Sequence, residues 1–558
     1  GNIVFAGHAE RYSRKKNDAF LHKDLMAEAL SFGMPDEIVI HEDSKLMARR
    51  RLRQMQLASI TAAFTEPTAE QWLKKFYPEL KGIPVKHVLH HQSHAAAGVL
   101  TSDFDDCAIM TIDAIGEVQT ATIYRYEHRG GKFDLVHEVN FPNSLGMFYS
   151  AMTHKVGLKP MEDEYVLMGM AAYGKPLYAQ KMREELFKHP HIQRENRAEC
   201  LNTIDMSMGL PKKFIARNLF IDEAEQTRYD IAASAQLVCE ERIMEYAELA
   251  YQYTHSKNLV FMGGCALNCV ANSRLFEKFE NVHIMPNPGD AGSSLGAAAL
   301  HAYNTTGTKV NWTGPFLGNN IEGKYPIKKA LESLLNGEVF GIANGPAEFG
   351  PRALGNRTLS ADPRGPHIKD KVNKIKLRQE FRPFAPIILQ EHVHDYFEMP
   401  GGISDAPYMQ FVAKCKKPDE FPAIVHADGT SRVQTVNQEQ HPELYELMTQ
   451  FYNETGCPMI LNTSLNVKGM PIVNDERDAK IFQDIQEAYE TLIDPLKKEK
   501  YLQQRWLQQV TQTKPIPAPT NSNELLHAII KVEQLVYKTD SYRLDTDFIE
   551  QYILFLLT

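Results

Sequence analysis

The chain has 558 residues, 43% apolar and 23% charged, an ordinary globular composition with room for roughly two to four domains and a core that needs no disulfide staples. Its 61 basic and 70 acidic residues give a net charge of -9, which excludes a generally basic nucleic-acid coat. Seven cysteines without a CxxC pair point to a reducing, cytoplasmic setting, and no run approaches the about 18 apolar residues of a membrane span.

In chain order, residues 3–6 (IVFA) predict a short strand, and KHVLHHQSHAAAGVL predicts a strand edge entering a helix. CAIMTIDAIGE and TATIYRYE predict two strands joined by a turn. From 141 to 260 the pattern is mostly helical, with Gly and Pro breaks. NLVFMGGCALN reads as an apolar strand ending in a glycine turn, followed by NCVANSRLFEKF as a helix. VHIMPNPGDAGSSLGAAALHAY repeats that order, and the two units predict an α/β lobe built around a nucleotide or anion. A polar, Gly- and Pro-containing stretch at 305–326 sets a domain boundary, giving a first domain over 1–325 and a second over 326–510. The second opens with the helix IKKALESLLNGE and the strand VFGIAN. PIPAPT (515–520) is a stiff linker within the 511–558 tail, which patterns as two helices. The last helix is apolar and too short to span a bilayer, so it is expected to dock on the body or on a second subunit of a homodimer.

HHQSH places His90 and His94 at i and i+4, on one face of a helix, with His91 pointing elsewhere. Two such imidazoles can ligate one metal ion or serve as ordinary helix-end histidines. Asp113 ends an apolar strand, where a carboxylate faces a cleft or caps a turn. Asp290 opens a small-residue helix and reads as an N-cap or a further ligand. Together the four make a plausible N/O metal set. Gly263 and Gly264 precede Asn268, and Gly289 and Gly292 bracket Asp290, so backbone amides in both loops could approach a phosphate or simply pack tight turns. Neither loop matches a P-loop or a complete dinucleotide fingerprint. Further on, EFGPRALGNR, KLRQEFRPFAP, DGTSRVQTV and LNTSLNVKGMPIV set Arg352, Arg357, Lys376, Arg378, Arg382 and Arg432 among small residues, where guanidinium forks could converge on phosphates. Asn462, Thr463 and Ser464 follow the strand PMILN and can add short polar contacts.

These motifs occur in order with SLGMFYSAMTHKVGL and LMGMAAYG, and over residues 1–505 they closely resemble the NodU/CmcH family of O-carbamoyltransferases. The resemblance implies an α/β fold, with an N-terminal actin/Hsp70-like (ASKHA, Kae1-like) lobe and a C-terminal YrdC-like domain. It implies iron (Fe2+ or Fe3+) at His90, His94, Asp113 and Asp290. It also implies ATP, Mg2+ and carbamoyl phosphate at Arg352, Lys376, Arg378, Arg382, Arg432 and Ser464. Carbamoyl-adenylate made there would pass to the metal lobe and be attacked by the hydroxyl of a small-molecule alcohol. Glu117, four residues beyond Asp113, would orient or deprotonate that acceptor, and Asn268 would contact nucleotide or acceptor. A tRNA threonylcarbamoyl-adenosine enzyme is the competing reading, disfavoured by the net charge, and a non-catalytic nucleotide-binding protein is the third. The resemblance also predicts an opening strand and an HDSSAA-type loop ahead of Gly1, and it places Glu164-Tyr165-Val166 where relatives carry Glu-x-Lys.

Overall fold

The computed structural model describes residues 1–18, 20–43, 45–48, 68–128, 132–141, 143–186, 225–365, 367–377 and 384–493. Gly1–Phe482 forms one compact unit and Gln483–Thr558 a second. The predicted tail helices lie outside the described residues. The fold is mixed α/β.

The predicted hairpin forms the middle of a five-stranded sheet ordered Lys132–Asn140, Gln119–Glu127, Asp106–Ile112, Asn258–Met262, Asn281–His283. Asp106–Ile112 and Gln119–Glu127 pair antiparallel with Ile112 opposite Ala121, whereas Asn258–Met262 runs parallel to Asp106–Ile112. DCAIMTI lacks polar alternation because both faces of the strand are covered. Ala108, Met110 and Ile112 pack with Ile231, Ala235 and Val238 of the helix Glu225–Thr254. Cys107 and Ile109 pack on the other side with Val99, Leu295 and Leu300. Those last three belong to the helices His90–Leu100 and Asp290–Thr306, which therefore form one layer. A strand buried on both faces reads as a continuous apolar run.

The second sheet is ordered Phe397–Glu398, Phe411–Cys415, Thr430–Val436, Ala385–Leu389, Met459–Ser464, Arg357–Ala361, Phe340–Ala343. Helix Pro442–Thr455 covers it with Leu444, Leu447, Met448 and Phe451. The two halves meet along the short helix Cys269–Arg274. Asn272 Nδ2 donates to the Gln410 carbonyl at 3.0 Å, Ser273 Oγ donates to Val412 O at 2.9 Å, and Gln410 Nε2 donates to Ile284 O at 2.6 Å. Arg11 and Arg14, in and just after the helix Ala9–Ser13, reach across to Gly350 O and Ile472 O, each at 2.8 Å.

Residues 3–6 do not form the predicted strand. Among the described residues the pairing here is an isolated parallel bridge from Asn2, just before the segment, to Asn311, and a hydrogen bond from Ala6 N to Leu317 O at 2.8 Å. Val4 points to solvent, whereas Ile3 and Ala6 pack on the core and Phe5 stacks on Phe32, so three of the four residues of IVFA pack without a ladder. The other predicted elements named above within the described residues are formed, including the strand Val85–Val88 before His90 and the helix Ile327–Leu335 before the strand Phe340–Ala343.

Candidate functional site

Three chain ends converge on one point. His90 and His94 lie on successive turns of the histidine helix, Asp113 follows directly on the strand Asp106–Ile112, and Asp290 is the first residue of its helix. His90 Nε2 lies 3.1 Å from His94 Nε2. Asp113 Oδ2 is 3.0 Å from His94 Nε2 and 3.5 Å from His90 Nε2, and Asp290 Oδ1 is 3.3 and 3.4 Å from the same two atoms. One ligand atom from each of the four lies within 4.8 Å of all the others.

The set fits a metal ion. Metal–ligand bonds of about 2.0–2.2 Å put neighbouring donors roughly 3.0–3.5 Å apart, the spacing seen here. Asp113 Oδ2 is buried and makes no aligned hydrogen bond although it faces both rings. Two ring nitrogens and two carboxylate oxygens thus aim at a shared centre rather than at one another. Asp290 is 67% exposed at its side chain whereas the other three are buried, so the centre opens on Asp290's side. Burial disfavours charged imidazoles, yet the facing carboxylates of Asp113 and Asp290 hold His90 and His94 above the usual range. Burial likewise pushes the Asp113 carboxyl up, but the facing imidazoles outweigh it and hold it well below the usual value. His91 is different: burial pushes it down to about 3, and its Nδ1 lies 3.0 Å from Thr122 Oγ1.

The turn after Asn258–Met262 closes one wall. Gly263 has φ +90°, and a β-carbon on Gly264 would stand 3.0 Å from Asp113 Oδ1, so these glycines let the backbone lie against the carboxylate. Asn268 caps the next helix through Ala271 N and exchanges two hydrogen bonds with Gln236, so its amide is held within the protein. Glu117 is buried; its carboxylate accepts from His90 N at 3.1 Å and from Asp43 N at 3.0 Å, capping the histidine helix.

At the far end of the same turn, burial raises the Cys269 thiol, an effect that the charges of Arg432 and Arg352 oppose. Arg352 rides on a clamped loop. Glu348 Oε1 accepts from the amides of Leu354, Asn356 and Arg357 at 2.9, 2.9 and 3.1 Å. Asn462 Nδ2 donates to Ala353 O at 2.8 Å, and Gln434 Nε2 donates to Leu354 O at 3.0 Å. Lys376 Nζ donates to the Ser464 carbonyl, to Ser464 Oγ at 3.1 Å and to Asn466 Oδ1 at 2.6 Å. Arg378 and Arg382 lie outside the described residues.

Arg357 departs from the sequence expectation. It is fully buried, and its guanidinium donates to the carbonyls of Asn474, Asn344, Gly345, Asn356 and Asn319, so it stitches backbone instead of facing a phosphate. Burial lowers its pKa to about 10. Sequence reasoning missed Glu42 and His41, whose approach to His90 comes from the parallel pairing of Ile38–His41 with Val85–Val88 and has no local signal. It also passed over Asn466, although LNTSLNVKG contains it.

Residues 1–299 match the family model for the carbamoyltransferase N-terminus, and residues 331–500 match that for the carbamoyltransferase C-terminus. The chain belongs to the carbamoyltransferase family. This carbamoyltransferase-family enzyme is 35% identical to an uncharacterized protein of Synechocystis sp., over 86% of this chain and 90% of that one. It is 32% identical to nodulation protein NolO of Bradyrhizobium diazoefficiens, over 70% of this chain and 75% of that protein. A crystal structure of full-length HypF in its phosphate- and nucleotide-bound form aligns at a TM-score of 0.27, with 14% identity over 53% of this chain and 52% of that one, too weak a likeness to carry a fold argument. Among the described residues no helix is long and apolar enough to cross a membrane.

Proposed function

We propose that this carbamoyltransferase is an ATP-dependent O-carbamoyltransferase with two centres. In the second half, water cleaves carbamoyl phosphate to carbamate and phosphate, and a carbamate oxygen then attacks the α-phosphate of ATP, forming carbamoyl-adenylate as pyrophosphate leaves. At the His90–His94–Asp113–Asp290 centre, the hydroxyl of a small-molecule alcohol takes the carbamoyl group and AMP leaves. The observation that carries this reading is that the segment lining the four-ligand cluster also joins the second half: Gly264 lies against Asp113, and Asn272 and Ser273 just beyond it donate to Gln410 O and Val412 O. A labile acyl-adenylate handed between halves joined in this way would be limited in its contact with water.

Arg352, Arg432 and Lys376 are read as cations for the polyanionic substrates, and the same role is proposed for Arg378 and Arg382 of the KLRQEFRPFAP motif. Ser464 and Asn466 aim the lysine, and Asn462 holds the loop that carries Arg352. Mg2+ would accompany ATP. Two imidazoles and two carboxylates suit iron among the first-row metals. A bound iron ion would supply a Lewis acid toward the carbamoyl oxygen. Asp290, on the open side, faces the arriving acceptor, and Glu117 holds the histidine helix in place. The first sheet, with three consecutive antiparallel strands followed by two parallel ones, supports the actin/Hsp70-like (ASKHA, Kae1-like) reading of the first lobe. The YrdC-like label for the second rests on its motifs. The test is incubation of the full chain with ATP, carbamoyl phosphate and a panel of alcohols, read by mass. Addition of one carbamoyl group to an alcohol, with AMP and pyrophosphate released, is expected. AMP release without any carbamoylated alcohol across a broad panel counts against the acceptor class, and no pyrophosphate release counts against the activation step.

A further inference from the structure

His90 uses only one ring nitrogen toward the four-ligand point. Its other nitrogen, Nδ1, is buried and lies 3.3 Å from Glu42 Oε1, and it makes no aligned hydrogen bond to any described residue. Glu42 follows directly on the strand Ile38–His41, whose parallel partner Val85–Val88 leads through Leu89 into His90. The backbone on either side of this contact is pinned. His87 Nδ1 is 2.9 Å from the Glu42 carbonyl, and the Glu117 carboxylate binds the amides of both Asp43 and His90. Two strand ends and one helix start are thereby fixed to each other with a carboxylate set against the back of a ligating imidazole. Among the described residues His94 has no such carboxylate: its ion-pair contacts are all at Nε2, and its Nδ1 is likewise buried without a hydrogen bond.

We propose that Glu42 is a positioning residue for the metal centre. Its carboxylate stands 3.3 Å from His90 Nδ1 and would accept from Nδ1–H once the ring turns onto the ion, which fixes the tautomer that leaves Nε2 for the ion, and it adds a third carboxylate charge behind the two ligating ones. Carboxylates that receive the far nitrogen of a ligating histidine commonly raise metal affinity about 10- to 100-fold. Glu117 is the brace that keeps Glu42 in register with His90. This inference rests on reading the four residues as a metal site.

The experiment uses the full chain stripped by chelator and titrated with cobalt(II), followed by its visible ligand-field spectrum and by competition with a chelator of known affinity. Glu42→Ala is expected to bind cobalt about 10- to 100-fold more weakly with an altered spectrum. Glu42→Gln, which keeps an acceptor without the charge, is expected to lie between Ala and wild type, and Glu42→Asp to recover part of the loss. Metal-free unfolding midpoints should match wild type, since the Glu42 side chain is 34% exposed, and a merely structural residue would lower them. Cobalt affinity within twofold of wild type and an unchanged spectrum in Glu42→Ala overturn the proposal; if that variant does not fold, Glu42→Gln is judged by the same criterion. His94→Ala separates the two levels. Loss of cobalt there with retention in Glu42→Ala overturns the role of Glu42 alone, whereas retention in His94→Ala overturns the metal reading and this inference with it.

Discussion

Gly296 has its Cα pressed against the carbonyl of Ser93: a β-carbon there would stand 1.9 Å from that oxygen and 2.7 Å from the amide nitrogen of Ala97. This approach locks the helix that begins with Asp290 onto the helix that carries His90 and His94. Without it the four ligand atoms could not share a point. Gly296→Ala must separate two backbones, because no flexible side chain stands in the way. It is expected to destabilise the protein by about 1–3 kcal/mol or more and to weaken metal binding even where the fold survives. Thermal unfolding with and without metal, together with elemental analysis, checks this. Wild-type metal content and stability would mean that the helices shift at little cost.

His94 is fully buried and touches both carboxylates of the centre. His94→Ala is expected to remove bound metal and to lower carbamoyl transfer at least about a hundredfold, a loss of about 2.7 kcal/mol or more in transition-state stabilisation. Pyrophosphate release at Arg352 and Lys376 should survive. Elemental analysis beside a pyrophosphate assay reads both halves of the claim. Unchanged metal in this variant would remove His94 from the ligand set.

Arg352 and Arg357 sit five positions apart and should fail in opposite ways. Arg357 binds five backbone carbonyls inside the core, so Arg357→Ala leaves buried acceptors unmatched and is expected to cost about 3–5 kcal/mol of stability. Arg357→Lys should recover little, because one ammonium cannot reproduce the planar fork. Arg352 is half-buried on its clamped loop, so Arg352→Ala should change stability by less than about 1 kcal/mol while lowering pyrophosphate release about a hundredfold or more. Denaturation midpoints and pyrophosphate release on the same preparations separate the two roles. Wild-type release in Arg352→Ala would take this arginine out of the anion site.

The contrast between these arginines shows what a sequence can carry. Helix and strand starts were legible because apolar runs and small-residue turns obey local sterics, so His90, His94, Asp113 and Asp290 could be placed at element ends before any packing was known. Which arginine is buried was not legible, since EFGPRALGNR presents both alike and only the backbone carbonyls of Asn319, Asn344 and Asn474 decide it. Glu42 was invisible for the same reason. It meets His90 across 48 positions through strand pairing, and nothing in HED announces a partner. Glu117 was found by its nearness to Asp113, but its bonds to two backbone amides depend on where the histidine helix begins.

His283, at the end of the strand Asn281–His283, gives a pH dependence that is independent of the metal centre. Its Nε2 lies 3.4 Å from Thr101 Oγ1, and burial, with a smaller opposing effect from Asp103 and a reinforcing one from Lys309, pushes its pKa down to about 4. In the unfolded chain an exposed histidine titrates near 6.5. Between about 6.5 and about 4 the unfolded chain therefore binds a proton that the folded protein refuses. Stability must then rise with pH across this window and be lost on acidification, by at most about 1.4 kcal/mol per pH unit from this one group. Above pH 7 the group is neutral in both states and contributes no slope. His283→Gln keeps a polar side chain and removes the titration. Its stability relative to wild type should be constant above pH 7 and should improve steadily as the pH falls from about 6.5 towards 4.5. Denaturant midpoints measured across that range decide the matter: a difference between variant and wild type that stays flat down to pH 4.5 would mean that His283 takes up its proton in the folded protein.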